Sequence, residues 1–306
     1  MIIDFLDRVY SSLRSKENKI ESLFRFIIRK LSNLTLPLYL NLTKKDSRLP
    51  LGDKENIIVS LTTFPGRISK LWMVIECMLR QSLLPNKIVL YLAKDQFPNG
   101  LKDIPDNLLG YYEKKQLEIK FVEEDLRSHK KYYYAFKEYQ NDVIITIDDD
   151  IFYPSNIIKD LMDLHEKFPD TICCHRAHKI VRNDDNTISK YSEWKKVFGN
   201  FGPAFDLFHT SGGGTLYKTN FFSEEVVNKD AFVSLCFMAD DVWLNMMAQL
   251  NKTKTVKSSY FSNLIPIENK NSLFKLSQEN VADGGNDKQL QNLIQNYNIN
   301  NYEIFK

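Results

Sequence analysis

The chain has 306 residues, of which 43% are hydrophobic and 26% charged, and its 41 Lys and Arg nearly balance its 39 Asp and Glu. This composition is that of a globular protein and excludes a collagen-like, coiled-coil or wholly disordered chain. A net charge of +2 creates no field that would favour nucleic acid as a partner. The four cysteines include no CxxC pair, so a cysteine-rich zinc site is not expected.

The N-terminal segment, residues 1–48, is the most basic part of the chain. The first 50 residues hold ten Lys and Arg against five Asp and Glu. Apolar residues between 23 and 31 are interspersed with Arg25, Arg29 and Lys30. This pattern predicts either a basic amphipathic helix on a membrane surface or a helix packed on the following domain. Because the segment lacks a membrane-spanning run and a signal-peptide pattern, we expect a cytoplasmic protein, with peripheral contact at the inner face of a membrane left open.

After a polar connector, short apolar runs alternate with segments of helical spacing. The runs predict strands at residues 57–61, 87–92, 117–122 and 143–147. The helical spacing predicts helices at residues 69–81, 104–115, 128–139 and 154–168. This alternation predicts βαβ units and a mostly parallel sheet with helices on both faces. Such a sheet binds ligands beyond the carboxyl ends of its strands.

From residue 171 onward the pattern is less regular. It predicts strands at residues 171–180, 215–218 and 253–258, and helices at 241–250 and 290–297. The expected organisation is one α/β domain over residues 56–260, divided into halves at 56–150 and 151–260. A tail and a last helix follow over residues 261–306.

Three carboxylates come directly after the fourth predicted strand. Asp148, Asp149 and Asp150 would repel one another unless a cation lies among them. Alternation along an extended chain puts Asp148 and Asp150 on the same side. Their hard oxygen ligands favour Mg²⁺ or Mn²⁺, which could in turn hold a diphosphate. The alternative is a strand-ending turn whose Asp caps the next helix.

These carboxylates are part of a longer pattern. A strand, then Thr62-Thr63-Phe64-Pro65-Gly66-Arg67, a helix, two further strands and Asp148-Asp149-Asp150 resembles the GT-A glycosyltransferases. The nearest are the family 2-like enzymes of bacterial capsule and lipopolysaccharide biosynthesis. His129-Lys130-Lys131-Tyr132 ahead of residues 145–154 is similar to one bacterial branch of them. The resemblance covers residues 56–250.

The resemblance implies a GT-A fold with residues 1–48 as a helical appendage. It also implies transfer of a sugar from a nucleoside diphosphate donor, with a UDP-sugar favoured, to a hydroxyl of a glycan or lipid-linked glycan. In such enzymes the residues after the first strand, here Ser60, Thr62, Thr63 and Phe64, hold the base and ribose. An acid after the second strand, here Asp95, contacts uracil.

Further roles are implied by the same resemblance. Lys130 or Lys131 faces the nucleotide, although two lysines also fit a solvated helix start. Asp148 reaches the ribose or the donor sugar, Asp150 binds the metal together with Asp148, and Asp149 supports either.

A second acidic pair, Asp240-Asp241, opens the predicted helix at 241–250. The resemblance implies that Asp241 is the general base on the acceptor hydroxyl, with Asp240 beside it, and that the reaction inverts the anomeric configuration. Capping of the helix N-terminus is the alternative. Between the two acidic groups, Gly212-Gly213-Gly214 is implied to line the donor-sugar and acceptor cleft, with a tight turn between strands as the alternative.

Two other functions remain open on the sequence. A metal-dependent phosphohydrolase would use Asp148 as its nucleophile and release phosphate without an acceptor. A non-enzymatic membrane-surface binding protein would use its basic N-terminus and keep the acids as structural caps.

Overall fold

A central eight-stranded sheet organises the fold. The computed structural model describes residues 2–13, 18–52, 56–259, 263–269, 284–300 and 304–306. The strands in these ranges are β1 Ile57–Thr62, β2 Lys87–Ala93, β3 Glu118–Val122, β4 Val143–Ile147, β5 Ile151–Phe152, β6 Ile172–Cys174, β7 Ala177–Lys179, β8 Lys195–Lys196, β9 Phe201–Ala204, β10 Leu207–His209, β11 Gly213–Tyr217, β12 Thr255–Lys257 and β13 Ile265–Pro266.

Helices flank this sheet. Apart from short 3₁₀ turns, the helices of the same ranges are α1 Ile2–Ser12, α2 Lys19–Leu42, α3 Leu71–Met78, α4 Asp106–Glu113, α5 Lys130–Glu138, α6 Ile157–Lys167, α7 Lys229–Leu235, α8 Asp240–Leu250 and α9 Gly285–Asn296.

The strand order across the central sheet is β3-β2-β1-β4-β11-β6-β12-β9. The first four strands in this order are parallel, whereas β11 runs antiparallel to both β4 and β6. The mostly parallel sheet expected from the sequence is confirmed.

The register of β1 and β4 brings two loops together. β1 lies between β2 and β4, and Ser60 pairs with Thr146. Both strands therefore end at the same edge of the sheet, at the point where the strand order reverses. Open α/β sheets bind their ligands in the crevice at such a point.

Burial on both faces explains the apolar sequence of these strands. All five residues of β4 are buried, and α5 packs against β1, β2 and β4. Within α5, the buried Tyr132 and Phe136 lie one turn apart and face this core. Parallel strands covered on both faces read as continuous hydrophobic runs, which is why the sequence located them.

The N-terminal segment forms two helices that pack on the domain. Asn18 caps α2 by accepting a hydrogen bond from the Ile20 backbone at 3.0 Å. One face of α2 buries Ser32, Leu36 and Leu40. The backbone N–H of Ser155 donates to Asp4 of α1 at 2.6 Å. Among the described helices, none combines the length and the apolar character needed to span a membrane.

The strand predicted at residues 171–180 is in fact two strands that belong to different sheets. β6 lies in the central sheet, whereas β7 pairs with β10 and β8 in a smaller one. The chain bends between them because the His175 ring is buried and contacts Asp160 Oδ2 at 2.8 Å. An alternating apolar pattern carries no signal for such a bend. Most of the predicted tail, residues 270–283, lies outside the described residues.

Candidate functional site

A cavity of about 1020 Å³ opens at the carboxyl ends of β1 and β4. The loops after these strands and the start of α5 supply Thr62, Thr63, Phe64, Arg67, Lys130, Lys131, Asp148, Asp149 and Asp150. Other parts of the lining come from α1, α2 and the region of β7 and β8, through Tyr10, Arg25, Arg29, Lys30, Arg176, Lys196 and Phe198. The lining holds nine Lys and Arg side chains and five Asp and Glu. This excess of positive charge favours an anionic ligand.

Asp149 connects the loop after β4 with the loop after β1. Its buried carboxylate accepts a hydrogen bond from Thr63 Oγ1 at 2.5 Å and one from Arg67 Nη1 at 2.8 Å. Burial raises the pKa of Asp149, against the lowering effect of Arg67 and Thr63. Since both oxygens are engaged by the loop after β1, the visible role of Asp149 is to position that loop against the loop after β4.

Asp148 and Asp150 instead face the cavity. Their side chains are 36% and 34% exposed, compared with 7% for Asp149. Arg67 Nη1 lies 2.8 Å from Asp150 Oδ2, and Lys131 Nζ lies 2.9 Å from Asp148 Oδ1. Burial and the neighbouring Asp149 raise the pKa of Asp150 to about 7, although Arg67 opposes this. The outer two carboxylates are therefore the ones available to a ligand.

The donor set of Asp148 and Asp150 fits a magnesium or manganese ion held jointly with a ligand. Nowhere in the described part of the chain do three or more His, Cys, Asp or Glu side chains form a group that could hold a metal. Mg²⁺, however, commonly takes only one or two carboxylates and completes its shell with water and substrate phosphates. Crowding that raises the pKa of Asp150 is relieved by a cation. The residues therefore fit a metal ion that arrives with a diphosphate.

Lys131 links this group to the second acidic pair. Its buried ammonium lies 2.9 Å from Asp148 Oδ1 and 3.2 Å from Asp240 Oδ2. Burial lowers the pKa of Lys131, but Asp148 and Asp240 more than offset this and hold it well above the usual range. Lys130, the next residue, pairs with Asp125 instead, which also accepts a hydrogen bond from Gln96 at 2.8 Å. The two lysines therefore form salt bridges with different carboxylates, and both line the cavity.

Asp240 and Asp241 occupy the first turn of α8, where their surroundings shift their pKa values in opposite directions. The Ser211 hydroxyl donates to Asp240 at 2.8 Å, and the Ser211 backbone N–H donates to Asp241 at 2.7 Å. Although burial opposes it, Lys131 and His129 lower the pKa of Asp240 to about 2. Burial and the adjacent Asp240 raise the pKa of Asp241 to about 7. The positive charge of Lys131 thus favours the ionised form of Asp240, and the adjacent Asp240 disfavours that of Asp241.

Neither Asp240 nor Asp241 is among the cavity-lining residues. Asp241 is half-buried. The Ser211 N–H that donates to Asp241 directly follows Thr210, whose N–H donates to the Arg176 carbonyl at 3.1 Å. Asp241 therefore lies near the part of the wall that Arg176 forms.

The glycines after β10 make room for Asp148. A Cβ on Gly212 would lie 1.7 Å from Asp148 Oδ2, so no other residue fits without displacing that carboxylate. Gly214 adopts a φ of +90°, which favours glycine. The Gly212 carbonyl accepts a hydrogen bond from the Tyr153 hydroxyl at 2.5 Å. Gly212, Gly213 and Gly214 are not among the lining residues, so their visible role is to position Asp148 and β11.

Two other predicted nucleotide residues lie away from the cavity surface. Ser60 is buried in β1, where its hydroxyl donates to the Lys131 carbonyl. Asp95 is exposed and outside the lining, whereas the next residue, Gln96, lines the cavity. The role implied for Asp95 therefore finds no support in its position, and Ser60 acts by holding the start of α5.

Sequence reasoning did not place Arg67, Arg176 or the cavity-facing side of α2 in the candidate site. Arg67 was part of the motif after β1, but its two carboxylate partners lie more than eighty residues away. Arg25 and Arg29 were predicted to lie on a helix at a membrane surface or on one packed against the following domain, and both line the cavity. The available signal was the three Arg and Lys residues among apolar ones, which fitted either interpretation.

Comparison with known proteins gives one match to a family and a set of distant structural likenesses. The sequence model of Glycosyl transferase family 2 matches residues 67–225, just over half of the chain. No curated protein matches the sequence.

The solved structures that resemble the chain include TarS of S. aureus. A crystal structure of TarS residues 1–349 is 13% identical, with a TM-score of 0.42, over 68% of this chain and 59% of that one. The same fragment in complex with UDP gives a TM-score of 0.38 at the same identity and coverage. A longer TarS structure is 14% identical with a TM-score of 0.42, over 80% of this chain and 43% of that one. The chain therefore spans less than two thirds of these proteins, and its assignment rests on the match over residues 67–225.

Proposed function

Because the chain belongs to Glycosyl transferase family 2, we propose that it moves a sugar from a nucleoside diphosphate donor to a hydroxyl of an acceptor glycan. The chain is a glycosyltransferase with a GT-A fold, so the non-enzymatic interpretation is set aside. The observation that carries the finer proposal is the pair of exposed carboxylates, Asp148 and Asp150, joined through Lys131 to Asp240.

The donor lies along the loop after β1 in this proposal. Thr62, Thr63 and Phe64 line the cavity where a base and ribose would meet the sheet edge. Arg67 and Lys130 supply positive charge nearby, which suits a diphosphate. A UDP-sugar is the favoured donor, by the resemblance described above.

Asp148 and Asp150 would hold Mg²⁺ or Mn²⁺ on the diphosphate. When bound, the ion acts as a Lewis acid that stabilises the negative charge on the departing nucleoside diphosphate. Asp149 keeps the loop in place through Arg67 and Thr63. Lys131 lies close enough to Asp148 to add positive charge on the same side.

Asp241 is the general base in this proposal. A base works best when its pKa lies near the operating pH, and that of Asp241 is raised to about 7. Asp240 remains ionised beside Lys131 and keeps this shift in place. Proton removal from the acceptor hydroxyl as it attacks the anomeric carbon gives direct displacement, so we propose an inverting reaction.

The acceptor is proposed to be a glycan or lipid-linked glycan of a bacterial capsule or lipopolysaccharide, with the enzyme in the cytoplasm at the inner face of the membrane. The excess of positive charge in the cavity supports an acceptor that itself carries negative charge.

Thermal shift with UDP, GDP, CMP and dTDP, each with Mn²⁺ and with EDTA, tests the donor proposal. Ligand at a hundredfold excess over Kd stabilises the native state by about 2.7 kcal/mol. We expect one diphosphate to raise the melting temperature in Mn²⁺, and the increase to disappear in Asp150→Asn. Asp163→Asn, which alters an exposed pair with Lys159, is the matched control and should keep the increase.

A different pattern would contradict the proposal. If no nucleotide stabilises the protein while orthophosphate or vanadate does so with Mg²⁺, the phosphohydrolase using Asp148 replaces the transferase chemistry. If a nucleotide stabilises equally in EDTA, Asp148 and Asp150 do not act through a metal.

A further inference from the structure

The two N-terminal helices expose a continuous apolar surface, here called the outer face. Nine large apolar side chains of α2 are each at least 40% exposed. Leu23 and Phe26 lie to one side, and the other seven form the α2 part of the outer face: Ile20, Phe24, Ile27, Leu31, Leu34, Leu38 and Leu42. Their spacing of three and four residues confines them to an arc of about 80° at 100° per residue. The buried residues Ser32, Leu36 and Leu40 are centred roughly 150° away on the same helix.

α1 extends this surface. It exposes Ile2, Phe5 and Val9 at the same three-to-four spacing. The helices are in contact, with the Arg25 guanidinium of α2 lying 5.0 Å from the ring centroid of Tyr10 in α1. Single exposed apolar residues are ordinary, but twelve on two neighbouring helices, ten of them in the outer face, exceed what a monomeric protein normally leaves in water. The outer face is therefore a candidate docking surface.

The charges beside the outer face identify the occupant. The exposed charged residues among the described part of α1 and α2 are Arg8, Lys19 and Lys30, of which Lys30 pairs with Glu268 at 2.7 Å. None of the three described acids of these helices is fully exposed: Asp7 is buried, Glu21 is half-buried, and the half-buried Asp4 accepts a hydrogen bond from the Ser155 backbone. A second copy of the chain would bring like charges together, whereas anionic lipid headgroups complement them.

We propose that the outer face docks on a bilayer that contains anionic phospholipid. The apolar side chains enter the boundary between headgroups and acyl chains, and the lysines and arginines contact phosphate groups. The two helices lie in the plane of the membrane and do not cross it.

This docking places the cavity at the membrane surface. Arg25 and Arg29 line the cavity from the inner side of the same α2 helix. One helix diameter, about 10 Å, then separates the cavity from the bilayer. An acceptor anchored in that bilayer is presented to the cavity without leaving the membrane, and this part of the inference rests on the proposed glycosyltransfer.

Flotation with vesicles tests the docking directly. The full chain is mixed with vesicles of phosphatidylglycerol and phosphatidylcholine, or of phosphatidylcholine alone, and the bound fraction is measured. We expect binding to the anionic vesicles that weakens at higher salt. The variant Leu31→Ser/Leu34→Ser/Leu38→Ser should bind roughly tenfold or more weakly, because these side chains no longer transfer into the lipid.

The matched control is Leu101→Ser/Val233→Ser/Leu250→Ser, which removes three exposed apolar side chains elsewhere. It should bind vesicles like the unaltered chain, and both variants should unfold at the same temperature as that chain. Absence of vesicle binding by the unaltered chain, or equal losses in the two variants, would overturn the proposal. A dimer in sedimentation that the α2 variant alone dissociates would assign the outer face to a second copy.

The nucleotide thermal shift is measured on the same proteins without vesicles. Docking and donor binding are therefore scored separately, and failure of one leaves the other readout intact.

Discussion

Two groups of neighbouring carboxylates lie near the cavity, and the surrounding residues offset the repulsion within each group in different ways. In the group at 148–150, the middle carboxylate is buried and held by Arg67 and Thr63, and the outer two face the cavity. In the pair Asp240–Asp241, Lys131 and Ser211 hold Asp240, and the backbone of Ser211 holds Asp241.

This difference separates two kinds of chemistry. An exposed pair of carboxylates with a fixed carboxylate between them suits a cation from solution. A pair in which one member stays ionised and raises the pKa of the other suits proton transfer. Lys131 contacts both groups, so in the proposed reaction its charge would contribute to donor binding and to proton transfer.

The largest expected effect is the loss of activity when Asp241 is replaced, which distinguishes the proposed roles of the two acidic groups. Asp241→Asn should lower kcat about 10²- to 10⁴-fold, the usual contribution of a general base. It should leave the Mn²⁺-dependent thermal shift by nucleotide unchanged, because that depends on Asp148 and Asp150. Steady-state rates and thermal shift on one preparation provide the measurement. A variant that retains its rate and loses nucleotide binding would reverse the assignment of the groups.

Replacement of Lys131 tests whether its buried ammonium group stabilises both acidic groups in the folded protein. Lys131→Met should reduce the free energy of unfolding by about 3–5 kcal/mol, because it leaves Asp148 and Asp240 without their buried partner. Urea unfolding measures this. Lys114→Met is the matched control, since Lys114 is exposed and pairs with the exposed Asp46 at 2.9 Å. Equal losses in the two variants would show that Lys131 has no special position.

The smallest effect concerns pH. Because the pKa of Asp241 is raised to about 7, it gains a proton as the pH falls through that value, so kcat at saturating Mn²⁺ should decline on the acid side, about tenfold per pH unit. Asp240→Asn removes the neighbouring negative charge, lowers the pKa of Asp241 and should move this decline to lower pH. A decline that stays near pH 7 in Asp240→Asn would assign it to another group, such as Asp150.

The sequence predicted the parallel half of the fold because its signals are local. The runs that became β1, β2, β3 and β4 are buried on both faces, and the helices between them keep a regular apolar spacing. The GT-A fold and the family expected from the motifs are confirmed. The site roles of individual residues stay predictions.

The rest of the fold depends on contacts between residues that are far apart in the sequence, which no local pattern predicts. β8 and β13 are two residues long and exist only through their pairing partners. The contacts of Arg67 with Asp149 and Asp150 require the register of β1 and β4, which a single sequence does not specify. The two faces of α2 also could not be assigned from the sequence: its inner residues line the cavity and its outer residues remain exposed.

The space at Gly212 has a consequence for the tolerance of the chain to change. A methyl group there would overlap the Asp148 carboxylate, whereas at Gly213 it would meet the flexible side chain of Arg176. In a saturation library, position 212 should accept glycine alone, and position 213 should accept small residues. Neighbouring glycines that look alike in the sequence are thus constrained by different neighbours, one by a carboxylate of the proposed metal site and the other by the Arg176 side chain.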